Sequence, residues 1–169
     1  MNKNVMKSAA FVLAASAIFF STGCGGEAGN STATPKKKLS VAVEASYAPF
    51  EYKDEDGHII GFDVDLMKAV AQKMDAEAEF NNLPFEQIFH FVGDKKIQLG
   101  ISAIGATEER KKHVSFSDPY YSLGSYVIVV RPGTEGIHGP NDLKGKIVAA
   151  ERGSTNEVKA KELSPARTV

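Results

Sequence analysis

Residues 99–121 read LGISAIGATEERKKHVSFSDPYY, and their order decides the fold. An apolar run at 99–104, suited to a buried strand, is broken by Gly105. Thr107 follows as a helix N-cap, with Glu108, Glu109 and Arg110 in the first turn behind it. Acidic residues suit that turn because the positive end of the helix dipole lies there. Arg110 gains nothing from the dipole and needs another reason to be present. A strand end, a bare glycine backbone and a helix N-terminus beside a guanidinium fork together make an anion site shaped for a carboxylate.

The sequence on the N-terminal side supplies the rest of an α/β unit. LSVAVE at 39–44 alternates and is rich in β-branched residues, a strand. Residues 50–52 and 58–62 flank KDEDG, a hairpin around Asp56 and Gly57. From Asp63 the period changes: Val64, Met67, Val70, Ala71 and Met74 recur at helical spacing, with Asp63 placed to cap and Asp65 in the first turn. Residues 78–83 read as another strand, 85–92 as a short helix and 93–96 as a turn. This alternation predicts a sheet flanked by helices.

Past Tyr121 the signal thins. A β-rich segment at 125–130 ends at Arg131-Pro132-Gly133. A short helical start at 139–143, a strand at 146–150 and a helix at 154–163, capped by Ser154 or Thr155, follow. One strand and two helices cannot close a core of their own, so the chain is expected to stop inside a second α/β unit.

The first residues predict export. Lys3 and Lys7 precede an apolar stretch at 9–20 that is too short to span a bilayer. Residues 21–24, STGC, then carry the chain's only cysteine and resemble the lipobox of bacterial lipoproteins, which implies a lipid anchor on Cys24. A lone cysteine in an exported chain asks for such a role. An ordinary secretory signal with a spare thiol is the alternative. Residues 24–38 then read as a flexible tether.

Without Lys3 and Lys7, the 20 basic residues fall to 18 against 21 acidic ones, a net charge of −3. The one basic run, at 36–38, lies in the tether, so no nucleic-acid footprint is present. His58, His90, His113 and His138 lack metal-ligand spacing, and no cofactor, metal cluster or nucleophile–base pair is expected.

Several ordered stretches carry a family likeness: YAPFE at 47–51, GFDVDL at 61–66, TEERKK at 107–112, FSDPYY at 116–121, DLKGK at 142–146 and GST at 153–155. Together, over about 39–160, they resemble the bacterial extracellular solute-binding proteins of family 3, which feed polar amino acids to ABC importers. The resemblance implies a two-lobed periplasmic binding protein fold, type II-like. A first lobe would span 39–124, a crossover strand 125–131 and a partial second lobe 132–169, behind a signal peptide at 1–23. It implies a monomeric, non-enzymatic receptor that captures a free amino acid by hinge closure and hands it to a membrane permease.

Residue by residue, the resemblance gives the ligand's α-carboxylate to Arg110 and the backbone N–H of Gly105, and its α-ammonium to the carbonyl of Ala103. Tyr47 and Phe85 would sandwich the carbon skeleton, and Ser154 and Thr155 would add donors from the second lobe. Glu44 and Glu151 would meet the ligand's side chain, favouring a cationic ligand such as arginine, lysine or ornithine. Gly105 stands where the family usually has a hydroxyl, and Gln98 where it usually has an acid. The family's acidic partner for the α-ammonium, half of the second lobe and the strand that returns to the first lobe would fall beyond Val169. The cleft would then be open on one side and apolar surface uncovered, so weak or no ligand binding and a tendency to aggregate are expected of this chain.

Plainer readings exist for each residue. Arg110 could be a surface arginine, although Val114 denies it a partner at i+4. Tyr47 and Phe85 could be core aromatics, Ser154 and Thr155 could merely cap a helix, and Glu44 and Glu151 could be solvated acids. Two other functional readings share the fold: an enzyme resembling cyclohexadienyl dehydratase, with Glu44 or Glu151 as the acid, and the amino-acid-sensing domain of a signalling receptor.

Overall fold

The alternating run at 39–44 lies in the central strand, β1 (Lys37–Val43), which starts two residues earlier than expected. The computed structural model describes residues 35–122 and 124–165. Cys24, the export signal and most of the tether lie outside the described residues. After β1 come β2 (Ser46–Tyr47), β3 (Glu51–Lys53) and β4 (Ile59–Ile60), then α1 (Phe62–Lys73), β5 (Ala76–Asn82), α2 (Phe85–Gly93), β6 (Leu99–Gly100) and α3 (Glu108–Lys111). A 3-10 turn (Pro140–Leu143) and α4 (Thr155–Leu163) complete the order.

β1 runs parallel to β5 along its whole length, from Lys37 opposite Ala76 to Val43 opposite Asn82. β6 joins its other edge, also parallel. Successive strand residues point to opposite faces. Leu39 and Val41 therefore pack with Met67 and Ala71 of α1, whereas Ala42 packs with Ile88 of α2. A parallel sheet covered on both faces is an α/β architecture, the expected class. Burying Val41 completely contributes about 1.5–3 kcal/mol. The strands β2, β3 and β4 form a small antiparallel meander, with Tyr52 opposite Ile60, which confirms the hairpin around Asp56 and Gly57.

Four local expectations need correction. Gly61, not Asp63, occupies the cap position of α1, at φ +129°. A Cβ there would lie 2.3 Å from the Phe50 carbonyl oxygen, so only glycine lets the meander close onto the helix. Asp63 consequently sits within the first turn and is fully buried.

The run at 99–104 is strand only at Leu99–Gly100, with one further bond from Ile101 N–H to Ala42 O. Side chains then take over from the ladder: Ser102 Oγ accepts the Glu44 N–H and Asp63 accepts the Ala103 N–H. Residues 125–130 form no strand, because no described strand pairs with them. Of residues 146–150 only Val148 makes a β-bridge, and no described strand extends it into a ladder.

The 116–121 segment returns to the start of α1 through its aromatic rings. Phe50 lies edge-on to Tyr121 at 5.0 Å, and Phe62 stacks on Tyr120 at 6.2 Å. Such pairs add about 0.5–1.5 kcal/mol each beyond their buried area.

Candidate ligand-binding site

α3 begins as its sequence predicts, with Thr107 Oγ1 accepting the Arg110 N–H at 3.2 Å. The cap orients the helix so that the Arg110 side chain reaches back to the strand exit. Its Nη1 donates to the Gly105 carbonyl at 2.8 Å and its Nη2 to the Gly153 carbonyl at 3.0 Å. The guanidinium carbon lies 5.2 Å from the Phe85 ring centroid and 4.6 Å from that of Phe89. These two rings stand one turn apart on α2, edge to face at 5.6 Å. Each cation–π contact is worth about 0.5–2 kcal/mol, depending on desolvation. Burial lowers the Arg110 pKa from its ordinary value, but a guanidinium stays charged in proteins. Arg110 is therefore a half-buried cation at a place where backbone, aromatic rings and a second chain segment meet.

That second segment is 151–155. Gly153 has φ +76°, and a Cβ on it would lie 2.8 Å from Glu86 Cβ, so its backbone packs directly on the start of α2. Arg152 Nε stands 3.7 Å from Glu86 Oε2, an exposed pair that adds little. Ser154 is buried and caps α4: its Oγ accepts the Glu157 N–H at 3.1 Å and donates to the Glu151 carbonyl at 2.6 Å. Glu157 answers by accepting the Gly153 N–H at 2.8 Å. Thr155 opens the helix. The Ser154 hydroxyl is thus committed to the cap, and this segment presents the Gly153 carbonyl to Arg110.

The other predicted residues divide. Glu44, at the exit of β1, accepts the Ser46 hydroxyl at 2.7 Å. Burial pushes the Glu151 carboxyl up, and the charge of Glu44 pushes it further, so these two acids share one electrostatic environment. Ala103 adopts φ +45°, uncommon for a residue with a Cβ, and its N–H donates to Asp63 Oδ2 at 2.7 Å. Tyr47 is 46% exposed, and its ring stacks on Phe50 rather than on the Phe85–Phe89 pair. The structure thus brings Arg110, Gly105 and Phe85 together with Gly153, and leaves Tyr47 on the meander.

Sequence reasoning missed two features. Phe89 follows Phe85 by four residues, the helical spacing that puts both rings on one face, and that signal was available. The Glu51–Ser102–Asp63 network beneath the strand exit has no comparable sequence mark. At the hairpin turn, Asp54, Asp56 and His58 come within 4.8 Å of one another. Asp54 Oδ1 there accepts the backbone N–H groups of Asp56 and His58, so the cluster closes the turn.

Comparison with known proteins agrees with this architecture. The family model for bacterial extracellular solute-binding proteins, family 3, matches residues 39–163. The arginine-binding extracellular protein ArtP of Bacillus subtilis is 40% identical over 160 residues, covering 95% of this chain and 62% of the relative. An ancestral arginine-binding protein bound to arginine superposes with a TM-score of 0.72 at 42% identity, over 77% of this chain and 57% of that one. An ancestral arginine-binding protein bound to glutamine gives 0.75 at 40% identity, over 80% and 60% of the two chains. The chain spans about 60% of the length of these relatives. With an α/β core, the Arg110 cluster and this match over most of its length, the chain belongs to the bacterial extracellular solute-binding proteins, family 3.

Proposed function

We propose that this chain carries the ligand-gripping face of an amino-acid-binding component of an ABC importer, and that its ligand is a cationic amino acid, arginine first. The observation that carries this reading is the placement of Arg110. A half-buried guanidinium stacked on two rings has both of its forks on neutral carbonyls, Gly105 O and Gly153 O. A ligand carboxylate arriving there replaces neutral acceptors by a charged one, and charge-assisted bonds are about twice as strong. Among the described residues Glu44 and Glu151 have no cationic partner, and a ligand's guanidinium or ammonium relieves their repulsion.

The match to ArtP and to an ancestral arginine-binding protein bound to arginine supports the same ligand class. Because Arg110 holds both the 105 bend and the 153 turn, a ligand bound to it biases the approach of the two segments, which is the physical content of hinge closure. Work outside the cytoplasm, with Cys24 as a lipid anchor and a membrane permease as partner, completes the reading.

A ligand titration followed by NMR, which detects weak binding, tests it. Arginine should shift the ring signals of Phe85 and Phe89 at lower concentration than glutamine, and Arg110→Ala should remove the effect of both. Glutamine outcompeting arginine, or an unchanged titration in the variant, would overturn it.

A further inference from the structure

Beneath the strand exit lie two carboxyl groups that the ligand chemistry does not use. Glu51, on β3, is 1% exposed, and Asp63, on α1, is 0% exposed. Glu51 Oε1 accepts the Ser102 hydroxyl at 2.9 Å. Asp63 Oδ2 accepts the Ala103 N–H at 2.7 Å and the Tyr120 hydroxyl at 2.8 Å. The remaining oxygen of each group, Glu51 Oε2 and Asp63 Oδ1, is buried with no donor on it among the described residues. Two like charges cannot be buried side by side with an acceptor oxygen idle on each.

We propose that Glu51 and Asp63 hold one proton between them, with Glu51 donating to Asp63, and that this acid–carboxylate pair positions the strand exit at 102–105. A proton on Glu51 removes one of the two buried charges and gives the pair the donor that it lacks. Asp63, already accepting two donors on Oδ2, is the natural carboxylate. The pair then fixes the exit at two points: Asp63 holds Ala103 in its φ +45° conformation, and Glu51 orients Ser102, whose Oγ accepts the Glu44 N–H at 3.1 Å. Gly105 and its contact to Arg110 follow two residues further on. Treating these as ligand residues rests on the proposed function; the shared proton does not, and its test needs no ligand.

The electrostatics agree with the geometry. Burial above all, and then the charge of Asp63, push the Glu51 carboxyl up from 4.5 to about 8, against the opposing bond from Ser102; Glu44, at the end of β1, adds to the rise. Tyr120, from the 116–121 segment, keeps its phenol proton, because burial and Asp63 both push its pKa up. In the unfolded chain a glutamate ionises near its ordinary value. Between the two values the folded state holds a proton that the unfolded state has lost, so stability falls as pH rises from about 4.5 and levels off above about 8.

The experiment is the melting temperature of the full chain, in mild detergent, from about pH 5 to about pH 8.5. The wild-type melting temperature should fall by about 10 °C across this range. Glu51→Gln, whose amide donates to Asp63 without titrating, should flatten the fall to under about 3 °C. Asp63→Asn, which removes the facing charge, should move the fall to lower pH. A wild-type profile without the fall, or the same fall in both variants, would overturn the proposal. If neither variant folds, proton release on wild-type unfolding at about pH 6.5 decides: about one proton from this pair supports it, and no release overturns it.

Discussion

Two stretches of this chain are almost the same sentence in residue language. LSVAVE at 39–44 and SYVIVV at 125–130 are both β-branched, apolar and bounded by turn residues. The first lies within and just past the central strand of a sheet, with Val41 fully buried. In the second, Val127 is 81% and Val129 88% exposed, and no described strand pairs with it. The difference lies in neither stretch. β5 and β6 flank β1 on both edges and helices cover both faces, whereas 125–130 is in neither sheet and neither core cluster formed by the described residues. Strand propensity describes a fit to a pleated, half-buried surface, and without that surface it is unexpressed.

The largest test of this contrast is a matched pair of substitutions. Val41→Asp places an unpaired charge in the sheet core and should cost more than about 4 kcal/mol, enough to abolish the cooperative urea transition followed by circular dichroism. Val129→Asp should change stability by less than about 0.5 kcal/mol. Similar losses at both positions would show that 125–130 is structured by contacts other than those described.

A second experiment probes the seam between meander and helix. Gly61→Ala combines a φ of +129° with a backbone oxygen 2.3 Å from the new Cβ, and a cost of about 2–4 kcal/mol is expected by the same denaturation. A cost below about 1 kcal/mol would mean that the meander docks loosely, more like the 125–130 stretch than like the sheet.

The smallest effect sharpens the contrast on its other side. Ser154→Ala removes the α4 cap and should cost about 1 kcal/mol, appearing as faster amide exchange at Val158 with little change in the main transition. If the main transition moved as well, α4 and the sheet would be one cooperative unit.

What could be read in advance followed the same division. Period alone located β1, α1, β5 and α2, because each buries a face whose spacing is written locally in Val64, Met67 and Ala71 or in Ile88. Thr107 and Arg110 were legible because a cap and an arginine in an acidic turn are local chemistry. Asp63 was not. Its position matched a cap, and only the close approach of Gly61 to Phe50 moved the helix start upstream and turned the carboxylate inward. Glu51 was equally silent, since nothing local announces that Ser102, more than fifty residues away, will face it. The failed strand at 125–130 has the same cause: pairing is a property of two segments, and sequence pattern describes one.

The register of β1 carries a last implication. Leu39 and Val41 serve α1 while Ala42 serves α2, and the smaller side chain on the α2 face leaves room for Ile88. Deleting one residue between Lys37 and Val43 would exchange those assignments, pressing valines against the wrong helix and handing the alanine to the other. Evolution can therefore vary the length of the meander or of the tether, yet every insertion or loss inside these seven positions would have to come in twos.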